Sequence, residues 1–206
     1  MNIAFYTLGC KVNQYETQSL REAFARKGHT PVGENAPFDA VVINSCTVTA
    51  ESDRKTRQIL HRFRRENPNA VIVLTGCMVQ AFKDEARELL SSADVIVGNT
   101  DVNKTVELTE RFLADGEKIC EILPHERKER FNTPDITDFA ERPRAYMKIE
   151  DGCDRFCSYC IIPTARGFVR SKPCEDIKKE AEELSLKGFS EVVLVGINLS
   201  SYGKGE

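Results

Sequence analysis

Three stretches of the chain are continuously apolar and each ends on a cysteine: NIAFYTLGC at 2–10, DAVVINSC at 39–46 and AVIVLTGC at 70–77. Runs of this length, rich in Val, Ile and Ala, predict strands buried on both faces. Between them the period changes to that of helices. Leu20, Ala23 and Phe24 point inward from a helix that stops at Gly28, with Asn13 and Glu16 as a capping box at its start. Phe82, Ala86, Leu89 and Leu90 mark a further helix, followed by a strand at DVIVGN and a helix from about Asp101 to Gly116. Strands alternating with helices predict an α/β domain over 1–116, a doubly wound parallel sheet covered on both faces.

Ligands of such sheets sit outside the carboxyl ends of the strands, near the point where strand order reverses. Cys10, Cys46 and Cys77 all fall at those ends, so three residues distant in sequence are predicted to meet at one edge. Taken singly, each reads as a small buried hydrophobe. The coincidence of three points to a metal cluster.

A second array follows in GCDRFCSYC, where Cys153, Cys157 and Cys160 are spaced C-x-x-x-C-x-x-C. Zinc competes for such thiolates, but a structural zinc site takes four ligands, and no His lies near. Cys174 supplies a fourth only if the loop folds back. An iron-sulfur cluster held by three Cys instead leaves one iron open to a small molecule bearing an amine and a carboxylate, as in clusters that cleave S-adenosylmethionine.

Around this array, RAYMKIEDGC reads as a strand feeding the loop. A helix from near Pro173 carries Ile177, Ala181 and Leu184 and stops at Gly188, and EVVLVGIN at 191–198 is another buried strand. Strand, helix, strand is the start of a (β/α) barrel over 144–206. A whole barrel takes about 250 residues, so this one is truncated. Between the two parts, 117–143 reads as a linker: KICEIL is a short edge strand with a structural Cys120, and three prolines lie from Pro124 to Pro143.

The net charge of −3 gives no global pull toward nucleic acid, so any RNA contact falls to local patches. The strongest is RKTRQILHRFRR, Arg54 to Arg65, with six basic residues and no acid. It reads either as a solvated helix with acids at its start and bases at its end, or as a phosphate-contacting face through Arg54, Arg57, His61 and Arg65. His29, His61 and His125 are isolated, and none is assigned as a ligand. With neither a signal-peptide pattern nor an apolar run near the ~18 residues of a membrane span, a cytoplasmic location away from membranes is expected. Eight Cys there fit cluster ligands and free thiols rather than disulfides.

These motifs resemble a family. C-x-x-x-C-x-x-C with Tyr159 before the last Cys looks like the radical-SAM signature, and IIPTARG, Ile161 to Gly167, is similar to its methylthiotransferase branch. GCKVNQYET, NSCTVT and TGCMVQ look like the amino-terminal domain of that branch, which is flavodoxin-like, and VGINLSSYG is similar to its second barrel strand.

The resemblance implies two [4Fe-4S] clusters. One, on Cys153, Cys157 and Cys160, would bind and reductively cleave S-adenosylmethionine to a 5′-deoxyadenosyl radical. The other, auxiliary cluster on Cys10, Cys46 and Cys77 would carry the sulfur to be inserted, a second S-adenosylmethionine supplying the methyl group. Tyr159 would pack on the cofactor's adenine, unless it is ordinary core, and Gly196 and Asn198 would also bind the cofactor. Implied partners are a tRNA anticodon loop, a flavodoxin- or ferredoxin-type electron donor and a sulfur source.

GCKVN with NSCTVT is most similar to the branch acting on threonylcarbamoyladenosine, the alternatives being the isopentenyladenosine and ribosomal-protein branches. A different class, a two-cluster electron-transfer module, is disfavoured because electron carriers usually cap every iron with Cys. The later barrel strands and the family's carboxyl-terminal RNA-binding domain are absent from these residues, so the chain alone is expected to be inactive.

Overall fold

The computed structural model describes residues 1–127, 129–132, 136 and 144–204. Part of the predicted linker, with Pro134 and Pro143, lies outside the described residues.

The first sheet has six strands: β1 (Asn2–Thr7), β2 (Thr30–Val32), β3 (Ala40–Ser45), β4 (Val71–Gly76), β5 (Val95–Val97) and β6 (Ile119–Glu121). Their order is β2-β1-β3-β4-β5-β6, with every pairing parallel. This is the flavodoxin-like order extended by one edge strand, β6, which lies in the segment read as linker yet pairs with β5 in the first sheet. Side chains alternate between its faces, and both faces are buried. Ile3, Phe5, Val42, Val73 and Val95 meet Leu20, Phe24 and Leu108 on one side, while Ala4, Val41, Ile43, Ile72 and Leu74 meet Leu60, Phe63 and Met78 on the other.

The helices are α1 (Lys11–Arg26), α2 (Ala50–Glu66), α3 (Cys77–Phe82), α4 (Ala86–Leu89), α5 (Val102–Asp115), α6 (Ile162–Arg166) and α7 (Cys174–Leu186). Two expectations are corrected and one strand is added. Asn13 and Glu16 form no capping box: Cys10 occupies the cap position, and both residues are buried inside α1. The helix expected through 82–90 is broken by a 3-10 turn at Lys83–Glu85, where Lys83 has φ +44°, and Leu89 faces solvent instead of the core. β2 went unpredicted because it is only three residues long and contains a proline, which an edge strand tolerates.

In the second part, β7 (Ala145–Lys148) pairs in parallel with β10 (Val192–Val195), and α7 lies between them in sequence. A short antiparallel pair joins β8 (Glu150–Asp151) to β9 (Arg170–Ser171). The two parts share α1. Its Leu20, Ala23 and Phe24 cover the first sheet, whereas Val12 and Tyr15 join the cluster of Ala145, Met147 and Leu184 in the second. Tyr15 also donates its hydroxyl to Glu180 Oε1 of α7 at 3.0 Å.

Candidate metal centres

Cys46 and Cys77 directly follow β3 and β4, and Cys10 stands three residues beyond the end of β1, the neighbouring strand; all are free thiols. The edge is shaped by glycines. Gly9 has φ +113°, and a Cβ there would stand 3.0 Å from the Cys46 Cβ; Gly76 has φ +99°, and a Cβ there would stand 2.4 Å from Asn44 Oδ1. Only glycine suits both the left-handed backbone and the close approach.

Beneath the thiols, a buried amide pair ties the strand ends together. Asn13 Nδ2 donates to Ser45 O at 3.0 Å, and Asn44 Nδ2 donates to Asn13 O at 3.0 Å. The Cys10 thiol donates to Asn13 Oδ1 at 3.3 Å. Cys77 is almost wholly enclosed, and burial pushes its thiol up to about 11 against the positive charge of Arg166.

The second set lies on the loop between β8 and α6. Gly152, at φ +81°, opens this loop where a Cβ would come within 1.9 Å of Phe168 O. Cys153 N donates to Gly167 O at 3.0 Å, Val169 N to Asp154 Oδ1 at 3.0 Å and Cys160 N to Cys157 O at 2.9 Å. Cys157 is exposed, and Cys153 and Cys160 are half-buried. Tyr159 is 90% exposed, so it is not a core residue.

Gly196 and Asn198 follow β10 and meet at Glu150. Asn198 N donates to Glu150 Oε2 at 2.7 Å, and a Cβ on Gly196 would stand 2.7 Å from the same oxygen. Burial raises the Glu150 carboxyl above the ordinary range, an effect the backbone N–H groups of Asn198 and Ile197 only partly offset.

Among the described residues, no three His, Cys, Asp or Glu side chains converge on one metal ion. Each set is purely of thiols, a donor set that suits an iron-sulfur cluster better than a single hard cation. Cys174, the possible fourth zinc ligand, lies exposed at the first position of α7.

Sequence reading missed a buried cluster of charges between the two sets. Arg166, 1% exposed, places Nη1 2.6 Å from Glu16 Oε1 and Nη2 3.0 Å from Glu16 Oε2. It also reaches Asp151 Oδ1 at 3.2 Å and Asn13 Oδ1 at 3.2 Å. Lys148 Nζ joins Glu16 at 2.9 Å and Asp151 at 2.8 Å, and Arg170 bridges Asp151 and Glu129, each at 3.4 Å. Burial alone would raise the pKa of Glu16 and Asp151. Arg166 and Lys148 outweigh it at Glu16, and Lys148, Arg166 and Arg170 at Asp151, holding both carboxyls below the usual range.

The basic helix α2 is capped by Thr49, whose hydroxyl accepts from Ser52 N at 3.1 Å. Several of its cations are engaged within the protein. Arg54 forms a fork with Glu51, at 2.8 and 2.6 Å, and Arg64 binds Asp94 and the carbonyls of Pro68, Ala70 and Ser92.

A thiol edge on a flavodoxin-like sheet, followed by a three-Cys loop at the start of a β/α unit, is the arrangement the family resemblance implies. Residues 2–98 match the family described as "Uncharacterized protein family UPF0004". Over 98% of its length the chain is 39% identical to "Threonylcarbamoyladenosine tRNA methylthiotransferase MtaB" of Aquifex aeolicus, covering 49% of that protein. The Bacillus subtilis protein of the same name is 37% identical over 98% of the chain and 45% of its own length. A Clostridium perfringens "tRNA-2-methylthio-N(6)-dimethylallyladenosine synthase" is 33% identical over 97% of the chain and 45% of its own length.

In fold, the chain is similar to the radical S-adenosylmethionine methyltransferase TsrM of Kitasatospora setae, solved with tryptophan and a SAM analog bound. The TM-score is 0.55 at 13% identity, over 97% of this chain and 48% of that one. The chain is thus similar over nearly its whole length to proteins named as tRNA methylthiotransferases, and it spans about half the length of the curated relatives it matches.

Proposed function

We propose that the chain forms the cluster-bearing part of a tRNA methylthiotransferase that converts threonylcarbamoyladenosine beside the anticodon to its 2-methylthio derivative. The observation that carries this reading is the presence of both three-Cys sets in a chain related over 98% of its length to proteins of that name.

In this reading Cys153, Cys157 and Cys160 hold one [4Fe-4S] cluster, and Cys10, Cys46 and Cys77 hold another. When bound, the first supplies the electron that cleaves S-adenosylmethionine and the second carries the sulfur to be inserted. The chain's own residues position these groups. The Gly152 turn and the bonds from Cys153 N and Val169 N fix the three-Cys loop, while the Asn13–Asn44 pair fixes the sheet edge.

Exposed Tyr159 offers an aromatic face to an adenine, and Gly196, whose missing side chain makes room for Glu150 and Leu199, stands with Asn198 at the Glu150 carboxylate. The RNA-facing surface on α2 is Arg57 with His61 and Arg65; Arg54 is forked to Glu51, His61 Nδ1 lies 3.4 Å from Ser92 Oγ, and Arg65 pairs with the exposed Glu66 at 3.4 Å. An anticodon-loop base suits such an enzyme, because RNA is read chiefly where bases can be splayed out. An external electron donor and a sulfur source complete the system.

The test is mass analysis of tRNA nucleosides from a strain lacking the gene, with and without its return. Loss and recovery of the 2-methylthio derivative of threonylcarbamoyladenosine is the expected result. Loss of the methylthio group from isopentenyladenosine instead would move the substrate to the branch represented by the 33% identical relative. An unchanged nucleoside profile would overturn the assignment to tRNA.

A further inference from the structure

The charge cluster around Arg166 stands where the two parts of the molecule meet, and it touches both thiol sets through one residue each. On one side Arg166 Nη2 donates to Asn13 Oδ1, the same oxygen that accepts from the Cys10 thiol. On the other side Arg166 Nη1 reaches Asp151 Oδ1, which also accepts from the backbone N–H of Gly152, the residue before Cys153. Between these contacts the guanidinium grips both oxygens of Glu16.

We propose that Arg166 is a positioning residue: its fork on Glu16, Asn13 and Asp151 locks α1 to the β8 end, giving the two thiol sets one fixed relative placement. The need for alignment rests on the two-cluster reading above; the clamp itself does not.

Energetics favours this role over a purely stabilising one. Two apolar faces in contact, here Val12 and Tyr15 against Ala145 and Met147, tolerate small slides and rotations, because burial is not directional. A planar guanidinium with both prongs engaged fixes direction as well as distance. Burying several charges brings little net stability over an apolar packing of the same volume, whereas removing one partner leaves an uncompensated charge. The members balance at three cations, Lys148, Arg166 and Arg170, against the carboxylates of Glu16, Asp151 and Glu129.

The test measures placement directly in the 206-residue chain, without clusters. Nitroxides are attached through a ketone-bearing amino acid at two exposed positions, Gln58 of α2 and Lys178 of α7, and the distance between them is read by pulsed electron resonance. The unsubstituted protein should give a single narrow distance. Arg166→Gln should broaden or split it, with exchange protection of β1, β3 and β4 retained. Glu16→Gln should do the same, and Arg166→Lys, which keeps the charge but lacks the fork, should restore only part of the narrowness.

An unchanged narrow distance in both Arg166→Gln and Glu16→Gln would overturn the proposal. So would loss of exchange protection throughout the first sheet in both, which would make the network a general folding determinant. Iron loading is assayed separately. Failure to bind iron with the distance response intact would sink the cluster reading and leave the clamp standing.

Discussion

Arg166 of α6 and Glu16 of α1 lie 150 positions apart and meet in a two-pronged buried ion pair, at 2.6 and 3.0 Å. The pair joins the sheet that ends in Cys10, Cys46 and Cys77 to the loop that carries Cys153, Cys157 and Cys160.

The first prediction concerns acid. Glu16 and Asp151 both have folded-state pKa values below their unfolded ones. Such groups contribute stability that is fully present above the unfolded carboxylate values, near 4, and is lost as pH falls through the folded ones. The melting temperature should therefore drop as pH falls below about 5, and Glu16→Gln should flatten that drop. At neutral pH the same variant should cost about 3–5 kcal/mol, because it leaves three buried cations, Lys148, Arg166 and Arg170, facing only the carboxylates of Asp151 and Glu129. Calorimetry across pH checks both, and an acid limb equal to that of the unsubstituted protein would contradict the linkage.

Gly152 supplies the second. Alanine there would place a methyl group 1.9 Å from Phe168 O in a left-handed backbone, so the turn before Cys153 cannot keep its path. Backbone strain alone costs about 1–3 kcal/mol. Gly152→Ala should lower iron bound at the second site while amide exchange in β1, β3 and β4 stays as it was. Equal loss of protection across both parts would show a global rather than a local effect.

Thiol reactivity gives the third. In the cluster-free chain Cys10 and Cys157 are exposed, whereas Cys77 is buried with its thiol pushed up to about 11. Only the thiolate attacks an alkylating agent. At neutral pH, iodoacetamide followed by peptide mass analysis should label Cys10 and Cys157 early and Cys77 last. Early labelling of Cys77 would mean that the edge opens in solution.

Much of this was legible because parallel strands buried on both faces write themselves as apolar runs, and those runs end on Cys10, Cys46 and Cys77. The close spacing of Cys153, Cys157 and Cys160 already put them on one loop, which runs between β8 and α6. The clamp was not, because Asn13 and Glu16 stand three apart after a strand, the spacing of a capping box, and nothing local says that their partner is Arg166. β2 was too short to show a period. Leu89 failed for another reason: Lys83 breaks the helix, so the inward face does not continue through it.

A fourth prediction tests the RNA surface. Arg57→Glu with Arg65→Glu should weaken tRNA binding by the full-length protein and make its salt dependence shallower by about one per lost phosphate contact. Arg64 is excluded from the test because it is bound to Asp94 and three carbonyls. Binding unchanged at every salt concentration would return α2 to an ordinary solvated helix.

The most direct test of the two-cluster account is iron and sulfide counting after anaerobic reconstitution of the protein, with and without replacement of Cys153, Cys157 and Cys160 by Ala. Two independent centres predict that the replacement halves the bound iron and leaves the spectrum of the cluster on Cys10, Cys46 and Cys77 unchanged. Complete loss of iron would show one shared site and contradict the account.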